Sequence, residues 1–455
     1  MGVSVPGEAT SEGQPAPPMR ALVNALRSAL APVTGLLRSL EIDTRMLGMV
    51  VALAIIWLSF NIVSGGTFLT ARNLWNLSVQ SASIAIMATG MVLIIVSRNI
   101  DLSVGSMLGF LGYTMAMVQG VWIPQTLGLG LEQPYTWVLT LLIGVALGAG
   151  VGGLQGFIVA YGGVPSFIVT LGGLLIWRGL IFRYAQGQTI APLDTTFQML
   201  GGGTVGTRVG ALGEWPSWTL GIVMCVAIVY VLITSRRRKR RYGFPVRPMW
   251  AELLVGAVAC GIVLGTVWVA NSYPLPPNVA EQYAKEHGIP VPPGGLFIPT
   301  GVAFPVVIML IVTLVVTFLA TRRRFGRYVY AIGGNPEAAA LAGINVRRTI
   351  MLAFALMGSL AAVSAAVQTA RLNAAVTSLG VQNELDVISA AVIGGTSFAG
   401  GIGTVPGAIL GAVVMQSLRS GMVLLLVDSP TQDIVVGIVL VAAVGLDAVV
   451  RRRVS

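Results

Sequence analysis

From residue 47 onwards the chain alternates between long apolar stretches and short polar connections. Most stretches approach the roughly 20 residues that an α-helix needs to cross a bilayer, and the shorter ones are candidates for half-length or re-entrant segments. We therefore expect an all-α polytopic transmembrane bundle of about twelve spans, an even number that puts both termini on the same side. The stretches are 47–63, 76–97, 103–118, 136–160, 164–182, 218–234, 249–270, 300–320, 350–370, 386–400, 405–427 and 432–450.

The segment before the first apolar stretch has a different composition. Residues 1–18 hold four prolines and few bulky side chains, which is typical of a disordered tail. Residues 20–45 alternate arginine with leucine, and this pattern suits either an interfacial amphipathic helix or a mobile basic linker. The resulting domain scheme is 1–45, tail and possible interfacial helix; 46–217, N-terminal transmembrane part; 218–299, an extra span pair with an external loop; and 300–455, C-terminal transmembrane part.

Composition agrees with a membrane protein. The hydrophobic fraction is 55%, the charged fraction is 10% and the mean hydropathy is +0.84, whereas soluble domains are about a quarter charged. An ordinary soluble enzyme and a disordered chain are therefore excluded. Two cysteines and the single histidine, His287, offer neither a disulfide scaffold nor a metal site, and we expect no bound metal.

The net charge of +11 suits either nucleic-acid binding or the basic inner loops of a membrane protein. The position of the charges decides between these alternatives. Most basic residues fall in 20–45, 235–247, 321–349 and 451–453. All four segments lie on one side of the expected bundle, as the positive-inside rule requires of cytoplasmic segments. We therefore expect cytoplasmic termini, an external 271–299 loop and no nucleic-acid partner.

The expected spans contain neutral polar residues rather than a carboxylate at a midplane, which disfavours an ion-driven carrier. Such residues suit an uncharged, hydrogen-bonding cargo, or they serve only as hydrogen bonds between helices. The residues are Asn61, Gln80, Ser81, Gln155, Ser166, Thr170, Gln368, Ser389 and Thr396. The phosphate-binding pattern GxxxxGK[ST] does not occur in the sequence, so we expect no ATP hydrolysis by this chain.

The inner loop 321–349 contains a short segment with helix-capping signals at both ends. Asn335 is a good N-cap, Pro336 fits the first helical position and Glu337 suits the helix dipole. Alanines follow, and Gly343 is a natural residue to end the helix. The small apolar faces of such a helix can enter a groove of another protein, whereas a helix resting on lipid favours bulkier side chains.

Five ordered motifs resemble the permeases of ribose/xylose-type (type II) ABC sugar importers, over most of residues 64–217 and 321–450. The first precedes the second span, the second reads IDLSVGS, the third is a VPxFIVTLG run followed by Arg-Gly, the fourth is the inner-loop segment, and the last reads ELDxIxxxVIGGTSxxGG. The stretches that contain them begin at Ser64, Asn99, Gly163, Gly326 and Glu384, so that IDLSVGS itself starts at Ile100 and VPxFIVTLG at Val164. IDLSVGS also separates the chain from branched-chain amino-acid permeases of the same superfamily.

The resemblance implies a permease subunit in the inner membrane that works as a homodimer. An ATP-binding subunit, which binds ATP and Mg, would dock inside, and a soluble sugar-binding protein would dock outside. The residues implied for coupling to the ATPase are Asn335, Pro336, Glu337, Ala338, Ala339, Gly343 and Arg347. The candidate translocation residues are Asn99, Asp101, Ser103, Pro165, Ser166, Phe167, Thr170, Asp386 and Thr396. Asp101 or Ser103 could instead simply cap a helix start.

One feature departs from the ribose-type members, namely the extra span pair within 218–299. Longer relatives assigned to xylose have additional length here, so the expected cargo is a neutral monosaccharide such as xylose. A permease for a nucleoside or another small polar solute, a stand-alone secondary carrier and a non-transporting sensor are the alternatives.

Overall fold

The apolar stretches form α-helices in the structure, a computed structural model that describes residues 44–128, 133–292 and 295–452. The proposed tail 1–18 and nearly all of 20–45 lie outside the described residues. The first helices are α1 (Thr44–Val63), α2 (Ala71–Val96), α3 (Val104–Met117), α4 (Ile123–Leu127), α5 (Thr136–Gly162), α6 (Ser166–Ala185), α7 (Thr195–Met199) and α8 (Glu214–Arg241). The others are α9 (Met249–Asn271), α10 (Pro277–His287), α11 (Phe304–Arg322), α12 (Arg324–Gly334), α13 (Pro336–Leu341), α14 (Val346–Leu372), α15 (Asn383–Ile393), α16 (Val405–Leu424) and α17 (Ser429–Arg452).

Ten helical segments of the described residues are long and apolar enough to cross a membrane. Nine belong to α1, α2, α5, α6, α8, α9, α11, α14 and α16, and the tenth, Val104–Thr126, continues from α3 through one π turn into α4. The regular strands within the described residues are β1 (Thr204–Val205) and β2 (Arg208–Val209), which pair antiparallel. The chain is therefore a multi-pass helical membrane protein, as the sequence predicts, whereas the number of twelve spans stays a prediction.

One predicted span is shorter in the structure than the sequence indicates. The stretch 386–400 contains α15, whose 11 residues extend only about 16 Å at 1.5 Å per residue, roughly half of the hydrocarbon core. The helix ends because Gly394 and Gly395 follow, and Gly395 has a φ of 88°. The stretch 432–450, by contrast, lies entirely within α17, which extends from Ser429 to Arg452.

By its contacts the described chain divides into residues 225–261 and the remainder. In the remainder, α2 is the central helix, because every residue from Ser81 to Val96 is buried. It packs against α11, α14, α15 and α16. Helix α14 runs antiparallel to α2, since the hydroxyl oxygens of Ser83 and Ser364 lie 2.6 Å apart while Gly90 packs against Met357.

Helices α5 and α14 approach closely through small residues. On one face of α5, Gly148 and Gly152 pack against the backbone of α14, so that a Cβ at either position would collide with a carbonyl group of Gly358 or Phe354. Gly150 lies on the other face and has open space around its Cα. The glycine-rich sequence therefore forms a helix contact of the type that small residues make in membranes.

The connection from α14 to α16 crosses the bundle as an irregular segment followed by α15. Gly380 packs against the start of α3, and the Arg178 guanidinium on α6 donates a 2.9 Å hydrogen bond to the Leu379 carbonyl. After α15, the Gly401 amide donates to the Val96 carbonyl at 3.0 Å. Because Val96 ends α2, which is antiparallel to α14, the connection starts at one end of the bundle and finishes at the other.

Residues 186–213 fold against residues 272–292 and 295–303. The Leu212 amide donates to the Val302 carbonyl at 2.9 Å, and the Thr207 hydroxyl donates to the Glu286 carboxylate at 2.8 Å. The 271–299 connection, which the sequence assigns to the outside, thus contains the helix α10. Its described residues also pack against the earlier connection, 186–213.

Residues 225–261 form a hairpin from the second part of α8 and the first part of α9. Arg236 pairs with Glu252 and donates to the Arg247 carbonyl at 3.1 Å. The Cys225 thiol lies 3.8 Å from the Cys260 carbonyl oxygen. These contacts hold the two helices together at both ends of the hairpin.

The predicted topology can be tested by labelling. In a protein with Cys225 and Cys260 replaced by alanine, single cysteines at the exposed positions Gln282 and Arg238 should react differently with an impermeant maleimide in cells with a permeabilised outer layer. Positive-inside orientation makes Gln282 reactive and protects Arg238 until the membrane is lysed. Equal labelling of both positions would contradict twelve spans.

The α5–α14 contact predicts a strong difference between two glycines of one helix. Gly152→Leu should destabilise the protein by about 1–3 kcal/mol or more, as overpacking does, because the added side chain meets backbone. Gly150→Leu is the matched control and should leave the thermal unfolding midpoint of the detergent-purified protein nearly unchanged. Equal midpoints for both variants would show that the close helix contact does not exist.

Candidate functional site

A polar cavity of 290 Å³ lies between α2, α14, α15 and α16. Its position near Leu372, the last residue of α14, places it in the half of the bundle that the predicted topology assigns to the outside. The polar residues that line it are four amides, one hydroxyl, two arginines and one carboxylate: Gln80, Gln368, Asn383, Gln416, Ser83, Arg371, Arg419 and Asp386. Amides both donate and accept hydrogen bonds, so the lining can bind an uncharged polyhydroxyl molecule.

One wall of this cavity is fixed by an ion pair. The carboxylate of Asp386, which is 3% exposed, accepts hydrogen bonds of 3.0 and 2.9 Å from Nε and Nη2 of Arg419. A second carboxylate, that of Asp433, lies 3.6 Å from Arg419. The guanidinium therefore joins α15, α16 and α17, and it compensates the charge of a candidate translocation residue that would otherwise be buried alone.

A second polar cluster surrounds the turn between α2 and α3. Asp101 is fully buried, and its Oδ1 accepts hydrogen bonds from the amide and the hydroxyl of Ser103 at 2.9 and 2.6 Å. The Ser103 hydroxyl also lies 3.1 Å from Oε1 of Gln155. Burial raises the pKa of Asp101, and the hydrogen bonds from Ser103 oppose the shift. Of the two expected capping residues, Asp101 is the one that accepts a backbone hydrogen bond here.

The start of α6 holds this turn in place. The Ser166 hydroxyl accepts from the Ile100 amide at 3.2 Å, and Thr170 is buried with its hydroxyl donating to the Ser166 carbonyl at 2.9 Å. Asn99 donates back to the carbonyl of Ser97 at 2.9 Å. The candidate residues of the IDLSVGS and VPxFIVT motifs therefore meet, although they are about 66 positions apart.

Three candidates lie elsewhere. Pro165 precedes the first residue of α6 and supplies only backbone. Phe167 is 52% exposed and thus contributes little to the buried cluster. Thr396 is buried in the loop after α15, beside Gly403, and within the described part of the chain its hydroxyl has no hydrogen-bond partner.

Sequence reasoning missed two charged groups near the IDLSVGS turn. Glu384 of α15 packs against Gly105 of α3, and its Oε2 has no hydrogen-bond partner within the described residues. Arg178 binds the carbonyls of Thr377 and Leu379. Glu384 belongs to the ELD motif and Arg178 to the Arg-Gly motif, so their motifs could have drawn attention to them. Their positions near the turn, however, depend on the irregular segment 373–382 entering the bundle, which the sequence does not indicate.

The short inner-loop helix has the predicted caps. The Asn335 side chain accepts from the Ala338 amide at 3.0 Å, and Gly343 has a φ of 80° and donates to the Ala340 carbonyl at 2.9 Å. Asn345 then caps α14 by accepting from the Arg348 amide at 2.9 Å. The helix α13 therefore starts and ends where its capping residues predict.

One orientation in this helix was not foreseen. Ala339 is 5% exposed and packs within the chain, whereas Leu341 is 90% exposed, and Glu337, Ala338 and Arg347 are also exposed. Ala339 is one of the residues implied for coupling to the ATPase, but a larger side chain at this buried position would first disturb the packing of this chain. The side chains that α13 exposes are those of Glu337, Ala338, Ala340 and Leu341.

The preceding helix, α12, connects this segment to the buried turn. Nε and Nη2 of Arg98 donate to the carbonyls of Gly333 and Gly334 at 2.8 and 2.7 Å. The Tyr330 hydroxyl donates to the Gly403 carbonyl at 2.7 Å. The C-terminal end of α12, the IDLSVGS turn and the loop after α15 thus form one contact region.

Comparison with known proteins identifies relatives of the whole arrangement. The chain matches the family described as branched-chain amino acid transport system / permease component over residues 73–237 and 198–444. The xylose transport system permease protein XylH of Escherichia coli is 38% identical over 419 residues, which are 91% of this chain and 94% of that protein. The protein of the same name from Haemophilus influenzae is 34% identical and covers 88% of this chain and 95% of its own length.

A ribose relative is more distant. The ribose import permease protein RbsC of Escherichia coli is 30% identical over 84% of this chain and 87% of that protein. No solved structure matches the chain significantly. Because the family match extends over most of the described helices and the relatives align over nearly their full length, the chain belongs to this family of transport-system permease components.

Proposed function

We propose that the chain is the inner-membrane permease subunit of a binding-protein-dependent ABC importer that translocates a neutral monosaccharide, xylose or a similar sugar. The support for the sugar class is the identity to xylose and ribose permeases together with the chemistry of the cavity. The observation that carries the proposal is the cavity itself. It is lined by three glutamines and an asparagine, while its one carboxylate is paired with an arginine.

The energy for transport would come from a separate ATP-binding subunit that docks on the cytoplasmic face and binds ATP and Mg. Exposed Leu341 and Ala338 suit insertion into an apolar groove of that subunit. A movement of α13 would pass to α12, because only Asn335 separates the two helices. It would then reach the IDLSVGS turn through Arg98, which donates hydrogen bonds to Gly333 and Gly334 of α12.

Transport then requires two states of the bundle with different access to the cavity. In the structure the hydrogen bonds among Asp101, Ser103 and Gln155 hold the turn at 97–103, and α15 contributes Asp386 to the lining of the cavity. Discontinuous helices of this kind surround the substrate sites of many transporters. A soluble sugar-binding protein would deliver the sugar from outside, to a permease homodimer.

A permease for a nucleoside and a secondary carrier are the competing functions. Uptake by cells that lack the ATP-binding subunit would favour the carrier. Purified complex with its binding protein should hydrolyse ATP faster when xylose is added, and stimulation by a nucleoside but not by xylose would replace the proposed cargo.

The cavity predicts specific substitutions. Gln368→Leu and Gln416→Leu should each raise the apparent KM of xylose uptake about 3- to 10-fold, the range expected when a neutral hydrogen bond is lost. The control Thr313→Val removes a hydroxyl that bonds only within its own helix, to the Met309 carbonyl at 2.6 Å, and should leave KM unchanged. Unchanged KM in both glutamine variants would exclude the cavity as the sugar site.

The coupling segment predicts a different phenotype. Leu341→Asp should abolish co-purification of the ATP-binding subunit and reduce uptake at least tenfold, while the exposed position keeps the permease folded. The matched control is Leu426→Asp, since Leu426 is 92% exposed but follows α16 and lies on the predicted external side. Normal co-purification with Leu341→Asp, or equal losses in both variants, would show that α13 is not the docking element.

A further inference from the structure

The hairpin of residues 225–261 contains an apolar groove of 610 Å³. Leu232, Leu253 and Ala257 line its length, and Arg236, Arg237 and Arg240 line the end nearest the connection between the helices. Leu253 is 69% exposed, so the groove is open on one side. An open apolar channel between two membrane-spanning helices is an environment for a hydrocarbon chain.

The close contact of the helices explains why the groove has a fixed shape. Gly256 of α9 faces Leu232 of α8, and a Cβ at Gly256 would lie 3.2 Å from a methyl carbon of Leu232. The ion pair between Arg236 and Glu252 closes the polar end. Arg236 therefore has a structural role within the hairpin, and its charge is neutralised by the acidic residue of the groove.

The other two arginines are not neutralised in this way. Arg237 and Arg240 are exposed, and neither forms an ion pair with an acidic side chain of the described residues. They are three positions apart on α8 and so share a helix face. Two guanidinium groups at the mouth of an apolar groove match the two parts of a phospholipid, because guanidinium binds phosphate through paired hydrogen bonds.

We propose that this groove binds one anionic phospholipid of the cytoplasmic leaflet, with its phosphate between Arg237 and Arg240 and an acyl chain along Leu232, Leu253 and Ala257. Basic pockets between transmembrane helices on the cytoplasmic side attract anionic headgroups. All residues of this site belong to the hairpin, and none of them lines the cavity between α2, α14, α15 and α16.

The test is native mass spectrometry of the detergent-purified permease with added phosphatidylglycerol or phosphatidylcholine of identical acyl chains. Wild type should retain one phosphatidylglycerol in preference to phosphatidylcholine. The pair Arg237→Gln and Arg240→Gln should weaken this retention about tenfold or more, since each arginine near an anionic headgroup contributes about fivefold. The matched control, Arg238→Gln with Arg241→Gln, removes the same charge from the same helix end but outside the groove, and should have little effect.

A second variant separates the groove from general surface attraction. Ala257→Trp fills the apolar channel at an exposed position and keeps every arginine, so it should also reduce phosphatidylglycerol retention. Equal losses in the two arginine pairs, full retention with Ala257→Trp, or equal retention of both lipids in wild type would each overturn the proposal. Displacement of the lipid by millimolar inorganic phosphate would show that the arginines form a free-phosphate site instead.

Discussion

A chain that crosses a membrane must satisfy the backbone hydrogen bonds of every break in its helices from within the protein, because the surrounding lipid offers none. This protein has three such breaks in its bundle, at 97–103, 373–382 and 394–403. At these breaks, side chains form the hydrogen bonds to backbone groups that the backbone itself would form in a continuous helix. Arg178 binds carbonyls of the second break, and Asp101 and Ser166 accept amides of the first.

These breaks also determine where chemistry can occur. The regular helices α2, α5 and α14 bury mainly apolar and small side chains, and they form the rigid part of the bundle. Among the described residues, unpartnered buried polar atoms occur on the regular helices, at Ser81, Thr136 and Thr140, and also at or beside the breaks, at Asp101 and Glu384. Burial of polar groups that lack partners is unfavourable, so a rearrangement that offers them new hydrogen bonds would lower the free energy of an alternative state. At the breaks, therefore, side chains satisfy the backbone hydrogen bonds, while nearby unpartnered polar groups favour a conformational change that would give them partners.

Features encoded by neighbouring residues could be read from the sequence. Hydropathy located the apolar helices, and the helix α13 was predicted from its caps because Asn335 and Gly343 act on groups only three or four residues away. The preceding helix, α12, was missed although Val329 and Ile332, three positions apart, are both buried. This spacing of apolar residues indicates a helix, but the many basic residues of the loop made the pattern hard to recognise.

Features that depend on how helices rotate could not be read in this way. Asp386 and Arg419 fall in two different predicted spans, 386–400 and 405–427, and nothing in their spacing of 33 residues indicated that they pair. The short length of α15 likewise depends on the irregular segment 373–382 that precedes it. Hydropathy cannot distinguish such a buried irregular segment from a helix. The alanines of α13 looked equivalent in the sequence, and only packing shows that Ala339 faces inwards.

The contact of Arg98 with two successive carbonyls restrains an angle as well as a distance. A single hydrogen bond lets its partners swivel, whereas the planar guanidinium, with Nε on Gly333 and Nη2 on Gly334, defines a plane that both groups must share. The left-handed backbone of Arg98, with a φ of 63°, further limits how the turn can follow. A tilt of α12 would therefore rotate the backbone that precedes α3 as well as displace it.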